Sequence, residues 1–423
     1  AESGLSATAT LTVGDETLPP EQPELPDNNA PVDYPSPEVT PDIWDNGVTA
    51  SAAEELNSRF EADGLWYKVT GADTVQLIRN PGVTNEYVNP YPEIPAELVI
   101  PETVTNEETG KTYTVTTIGY RAFYMASHLT SITLPDTIRV IGDQAFLTGW
   151  VSKVTAMNLP EGLEEVGANA MNGIKVDFQL PSTLKRIGTL AFNATSITRV
   201  HLGENVESVG ARAFANCTSL KEANLTRNTQ NTEGIYMNCS ALTDVTIDPD
   251  VTLLPQTAFY NCQSLTDLDL PESVVEIGKG TFQGCHFESL DFLNTGSVKT
   301  LNGFAFAGNP LKDIVIPDSV TYVGEQQFRF CPAVRSITFG KNVAYVSLGV
   351  MSMFFTDPEV GQVIPEVGSA TAGAAVRRSG YVGAMTKNGV SFDVYCGTAF
   401  TQDGFSYMPI SASEVQVTGY DES

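Results

Sequence analysis

Basic residues, histidine and long apolar runs are all scarce in this chain of 423 residues. Lysine and arginine total 23 against 51 aspartates and glutamates, for a formal net charge of −28. A chain that acidic repels phosphate backbones and anionic lipid, which excludes nucleic acid and charged membrane surfaces as partners. Nothing approaches 18 consecutive apolar residues, so the sequence contains no transmembrane segment. Only three histidines occur, His128, His201 and His286, and Cys285-His286 lacks the paired spacing of a zinc site. No glycine-rich loop leads into a helix, no nucleophile elbow is present, and no Cys–His–Asn set suggests itself. Carboxylates are so numerous that naming a glycosidase pair would be arbitrary. The sequence therefore reads as that of a non-enzyme without a cofactor. It begins Ala1-Glu2-Ser3 with no Met, as expected of a mature or trimmed form from which any export signal has gone.

Apolar residues make up 42% of the chain and aromatics 9%, enough for a real core and too much for global disorder. The charge is uneven. Residues 1–114 carry 21 acidic and 4 basic side chains, and the first fifty carry eight prolines. Proline fixes φ and removes backbone donors, and like charges extend the chain further, so 1–60 reads as an acidic, Pro-rich arm or tether. A short strand within Leu5–Val13 and a docked rather than free arm are both compatible with this.

The main signal is repetition. Ile118-Gly119-Tyr120-Arg121-Ala122-Phe123 returns as Ile141-Gly142-Asp143-Gln144-Ala145-Phe146 and Ile187-Gly188-Thr189-Leu190-Ala191-Phe192, with Val209–Phe214 keeping the phrase. The anchor position runs Phe123, Phe146, Met171, Phe192, Phe214, Tyr236, Phe259, Phe282, Phe306, Phe328 and Met351, with spacings of 21–25 residues. Between anchors lies a second phrase, as in Leu129–Pro135, Leu265–Pro271 and Leu311–Pro317. Its apolar residues alternate with polar ones, which is strand periodicity, and the proline ends the strand. The glycine four residues before the anchor, present in seven of eleven copies, is expected to allow a tight turn. Each unit thus supplies one short strand and one tightly turned segment. No unit can bury its apolar side alone, so neighbours must stack into a parallel-stranded solenoid.

These two phrases resemble the BspA-like class of leucine-rich repeats over residues 98–354, with Asn302 and Pro255 departing from the glycine and Leu220–Cys239 from the proline. The resemblance implies a β-rich solenoid, a right-handed stack of about eleven repeats with a parallel sheet and β-rich caps at both ends. It also implies an exported protein at the cell surface or outside the cell, compatible with a lipid anchor upstream of Ala1. Binding or adhesion is implied rather than chemistry, toward a macromolecular partner, with protein as the first reading. The alternative is a glycan-binding surface protein of a gut or oral bacterium.

The caps are read from strand patterns. Gly64–Val69 and Thr74–Ile78 about Gly71-Ala72-Asp73 suggest a hairpin. Leu98–Pro101 resembles a first repeat strand, and Gly110–Val115 an inserted arm. These place an N-terminal hairpin cap at 61–114, the solenoid at 115–355 and a β-rich C-terminal cap at 356–423. In the last, Val390–Tyr395 and Glu414–Val417 look like strands.

Six cysteines occur, and Cys217, Cys239, Cys262, Cys285 and Cys331 each lie three residues after an anchor. Coils about 5 Å apart fall within the Cα window of a disulfide, but same-phase side chains point in parallel. Buried free thiols are expected; Cys396 has no phased partner. The strand residues flanking the inward apolar pair should point outward in two columns. From the sixth repeat onward these turn acidic: Glu222, Asp244, Asp267, Asp269, Asp291 and Asp313. The face is read either as a solvated surface or as a site for a basic partner or weakly bound calcium. Large aromatics are absent from both columns, which disfavours sugar stacking there.

Overall fold

The computed structural model describes residues 56–346 apart from 86, 149–151, 332, 334, 335, 341 and 344, together with six strands between Pro365 and Tyr420. The arm up to residue 55, the eleventh anchor Met351 and Cys396 lie outside the described residues.

The expected solenoid is present, but its coils contribute strands of two kinds rather than one, and several coils contribute both. The first kind is a two-residue strand just before the anchor phrase, as in Val140–Ile141, Glu165–Val166, Arg186–Ile187 and Ser208–Val209, stacked in parallel. The second kind lies after the anchor and forms the strand face: Glu97–Val99, Ser131–Thr133 and Ala156–Met157 pair in parallel, as do Glu222–Leu225 with Asp244–Ile247 and Asp313–Ile316 with Ser336–Phe339. The return path after the proline was legible only as an apolar residue. Two residues are too few to show a period, although their N–H and C=O groups complete a ladder from coil to coil.

The anchors form the spine of the core. Phe123, Phe192, Phe214, Tyr236, Phe259, Phe282, Phe306 and Phe328 are fully buried, and Phe146 nearly so. Successive rings stack with centroids 5.3 Å apart for Phe123–Phe146 and Phe192–Phe214, and 6.0 Å apart for Phe214–Tyr236 and Tyr236–Phe259. Such pairs add about 0.5–1.5 kcal/mol beyond their area burial. The anchor backbone also bonds forward: Phe123 N–H donates to the Ala145 carbonyl, Phe192 to Ala213 and Phe214 to Ile235. To aim alternate peptides at the next coil, the chain enters the left-handed region two residues before the anchor, at Arg121, Gln144, Leu190 and Arg212. It does so again two residues after it, at Asn216, Asn238 and Asn261, where Asn tolerates that conformation best among non-glycine residues.

The phased glycines serve a different purpose from the expected tight turn. A Cβ on Gly188 would lie 2.3 Å from Ala168 N, and one on Gly210 2.3 Å from Thr189 N. Neither residue has positive φ. The glycine lets one coil's backbone lie directly on the next, and Gly188 N–H and Gly210 N–H donate across at 2.7 Å to Val166 and Ile187 carbonyls.

Where the repeat sequence departs, the ladders are spliced or broken. The proline-free sixth copy forms a short 3-10 helix, Arg227–Thr229, in place of the pre-anchor strand. There the Thr232 hydroxyl donates to the Val209 carbonyl at 3.0 Å, a side chain standing in for a ladder bond. The strand face breaks further on. Coil eight carries two extra rings, Phe287 and Phe292, packed on each other at 5.0 Å and on Phe282 at 5.2 and 5.8 Å. Its face segment becomes a 3-10 helix, Asp291–Thr295. No strand forms between Asp244–Ile247 and Asp313–Ile316 on this face.

At the N-terminal end the hairpin Leu65–Val69/Thr74–Ile78 forms as expected, with Arg59–Ala62 added outside it. Thr74–Ile78 pairs in parallel with Lys111–Ile118, so the last cap strand runs past residue 114 into the first coil. Beyond the solenoid, Tyr381–Lys387 pairs with Val390–Tyr395, and Phe405–Pro409 with Val415–Tyr420, all antiparallel.

The five phased cysteines are free and buried. They are more than apolar filler. Each thiol donates to the anchor carbonyl of the preceding coil: Cys217 to Phe192, Cys239 to Phe214, Cys262 to Tyr236, Cys285 to Phe259 and Cys331 to Phe306, at 3.0–3.4 Å. Asn309 takes the same place in coil nine and donates to Phe282 O at 2.8 Å. Burial pushes the Cys262 thiol up to about 12 and Cys331 up to about 11. A thiol raised in the folded state favours folding below its unfolded value of about 8.5 and loses that contribution as pH climbs to the folded value. Thermal melts should therefore hold level from neutrality to about pH 8.5 and fall progressively toward pH 11–12. A melting temperature unchanged at pH 10.5 would contradict this. Thiol titration at pH 8 should be slow on the native chain and quick once it is unfolded.

Candidate functional site

The candidate site is the outward side of the strand face. Its side chains are placed by alternation: within Asp244–Ile247, Val245 and Ile247 point into the core while Asp244 and Thr246 point out. Asp313–Ile316 repeats this, with Asp313 and Val315 outward. Asp244, Asp267, Asp269 and Asp313 are all exposed, as the sequence pattern led us to expect. Glu222 also lies on the face but is neutralised by Arg199 of the preceding coil at 2.8 Å. Asp267 turns one oxygen back to accept its neighbour's N–H, Leu268 N, at 2.9 Å. Asp291 does not join the column. It opens the 3-10 helix of coil eight and accepts the Ser289 hydroxyl at 2.8 Å, because Phe292 and Leu293 must turn inward there.

The second outward column is not wholly outward either. Asn224 is buried, and its amide both accepts from Leu202 N–H and donates to Leu202 C=O. Asn158 does the same to Leu134. Each amide replaces a ladder partner beside a segment about to leave the sheet. A sequence signal exists, an Asn at the same phase in two coils, but its polarity reads as exposure. A second set of amides runs across the coil tops: Asn193 donates to Asn172, Asn216 to Asn193, Asn238 to Asn216 and Asn261 to Asn238.

Elsewhere on the solenoid, several acids are matched from coil to coil. Lys185 pairs with Glu164, Arg186 with Glu165 and Glu207, Arg212 with Glu233, and Lys312 with Glu288. Exposed pairs of this kind contribute little individually, but they cancel charge. Asp244, Asp267 and Asp269 have no such partner among the described residues. Asp244 and Asp269 line an open depression of about 320 Å³ floored by Val245, Ile247, Leu270 and Pro271. At its edge, burial and then Asp250 raise the Asp248 carboxyl above its usual range, with His201 opposing and Glu204 adding to the effect. Among the described residues no three His, Cys, Asp or Glu side chains converge as a metal site. No described helix is long and apolar enough to cross a membrane.

Exposed aromatics do occur off the face, at Tyr87, Tyr120, Tyr322 and Phe330. Tyr120 belongs to the first coil and carries Arg121 over its ring, whereas Tyr322 and Phe330 flank the tenth anchor. Rings that far apart along the stack do not make one sugar platform.

A repeat solenoid with a polar strand face and a core of stacked anchor side chains defines the class of leucine-rich repeat proteins. The chain belongs to the BspA-type leucine-rich repeat family: the model of that region, with six copies of the repeat, matches residues 116–235, 148–264 and 229–353, together more than half of the chain. Among solved structures, a leucine-rich repeat protein from Bacteroides ovatus is 22% identical with a TM-score of 0.51, covering 73% of this chain and 89% of its own. It shares the fold. One from Eubacterium ventriosum is 18% identical at a TM-score of 0.39, covering 74% and 81%. A leucine rich cell surface protein from Faecalibacterium prausnitzii is 19% identical at 0.25, covering 67% and 94%. No curated protein matches the chain.

Proposed function

We propose that this protein is a non-catalytic binding scaffold, displayed at the cell surface or secreted, whose strand face engages a protein partner with a basic surface. The observation that carries this reading is the unmatched charge. Some acids elsewhere on the solenoid are paired coil by coil, whereas Asp244, Asp267 and Asp269 stand together on one face without a cation. No Lys or Arg occupies an outward face position from Asp244 to Thr338. Neighbouring carboxylates about 5 Å apart repel by about 1 kcal/mol in water and about 3 kcal/mol at an effective dielectric near 20. A basic partner relieves that repulsion on binding and is steered to the face beforehand. Calcium is the other counter-charge this face would accept, through hard oxygen ligands.

The test immobilises the full chain and offers a panel of extracellular matrix proteins in parallel with a glycan array. Capture of a protein is expected, weakening at least about tenfold between low salt and about 0.5 M NaCl. Asp244→Asn/Asp267→Asn/Asp269→Asn should weaken it by a similar factor. Capture of glycans alone, or protein capture indifferent to salt and to the triple variant, overturns the reading. A melting shift with millimolar calcium that vanishes in the triple variant assigns the face to a cation instead.

A further inference from the structure

The strand face contains an unoccupied ladder edge. Asp244 N–H donates to Lys221 C=O at 3.0 Å and Asp248 N–H to Leu225 C=O at 2.9 Å, so these peptides face the preceding coil. By alternation along a strand, the N–H and C=O groups of Val245 and Ile247 face the other way, toward coil seven and its segment Leu265–Pro271. That segment is not a strand, and no backbone hydrogen bond joins it to Asp244–Ile247. The preceding coil shows what is missing: Thr243 N–H donates to Lys221 C=O at 3.0 Å, while the equivalent Thr266 N–H makes no such bond.

Two features accompany the break. Phe287 and Phe292 add two rings beside Phe282 and Phe306, and Asp267 engages Leu268 N–H with its own carboxylate. The inward side chains at the break are nearly but not fully covered, at 8% for Val245, 7% for Ile247 and 5% for both Leu268 and Leu270. The depression between Asp244–Ile247 and Asp269–Pro271 is this break seen from outside.

We propose that the break receives one extended, basic segment of a partner protein, which adds as a strand to the free edge at Val245 and Ile247 and sets its Lys or Arg side chains against Asp244, Asp267 and Asp269. Strand addition of this kind takes its affinity from main-chain bonds and its selectivity from alternate side chains. The charge on the face selects the basic partner. A cation alone would answer the carboxylates but leave the edge peptides without partners. This inference rests on the scaffold reading above and names how that face binds.

The experiment uses the full chain and two synthetic octapeptides, one alternating Lys and Val, the other alternating Lys and Pro. Their charges are equal, but proline cannot donate along a ladder. Amide hydrogen exchange is read over 243–248 and 266–271. The Lys-Val peptide should slow the Val245 and Ile247 amides at least about tenfold, as new ladder bonds do, and the Lys-Pro peptide should not. Asp244→Asn/Asp269→Asn should weaken Lys-Val binding by about tenfold. Equal protection by both peptides reduces the effect to charge and overturns the proposal. So does protection by calcium alone, protection that grows with chain concentration without peptide, or no protection over 243–248. If the peptide fails while a matrix protein is still captured in the salt-sensitive way expected above, strand addition falls and the scaffold reading stands.

Discussion

Phe214→Ala should destabilise the chain by about 3–5 kcal/mol, the usual cost of truncating a large, fully buried ring. The ring stacks on Phe192 at 5.3 Å and 4° and on Tyr236 at 6.0 Å, so its removal opens a gap in the middle of the spine. Neighbouring anchors cannot close that gap, because each is held by its own bond to the next coil, as Phe192 N–H is to Ala213 C=O and Tyr236 N–H to Ala258 C=O. Phe330→Ala is the matched control, since that ring is 53% exposed and surface changes usually stay within about 0.5 kcal/mol. Because a repeat contacts only its neighbours, the damage should be local. Hydrogen exchange should accelerate around 192–259 and remain near its original rate at 300–325. Chemical denaturation showing less than about 1 kcal/mol lost, or uniform loosening along the chain, would count against an anchor-built solenoid.

The stack was legible in the sequence because the anchors repeat every 21–25 residues and are large and apolar. Even where Phe gives way to Met171 or Tyr236, the position remains fully buried. The phase of the cysteines was legible for the same reason, although not that each thiol would donate to an anchor carbonyl. The strand face was legible only as an alternation, which fixes where a side chain points but not whether neighbouring short strands bond. Asp267 occupies the position equivalent to Asp244 and Asp291 the one equivalent to Thr246, yet of these coils only that of Asp244 and Thr246 forms a paired strand. At Asp291 the volume of Phe287 and Phe292 turns the segment into a 3-10 helix, and at Asp267 the side chain itself takes the Leu268 N–H. Asn224 shows the converse, a polar residue placed outward by pattern and drawn inward by an unpaired carbonyl and amide at Leu202.

Gly210→Ala should be among the most damaging single-methyl additions in the chain. The new Cβ would meet Thr189 N at 2.3 Å, Gly188 C at 2.6 Å and Thr189 Cα at 2.7 Å, all of them backbone. A flexible side chain could move aside; a ladder peptide cannot, because Gly188 and Gly210 are themselves links in it. Overpacking of this kind costs about 1–3 kcal/mol. Separating the coils would also lengthen the 2.7 Å bond from Gly210 N–H to Ile187 C=O, worth about 1 kcal/mol more. Gly203→Ala provides the contrast. Nothing lies within 4 Å of its added Cβ and its φ is not in the left-handed region, so restricting the unfolded chain should leave it neutral or up to about 1 kcal/mol more stable. Comparing the two by chemical denaturation separates close coil approach from turn flexibility as the reason for the phased glycine. If turn flexibility were the reason, the penalty at Gly210 would come from its φ, which is an ordinary one. A Gly210→Ala chain as stable as the parent would show that the coils can move apart there, and the glycine phase would need another explanation.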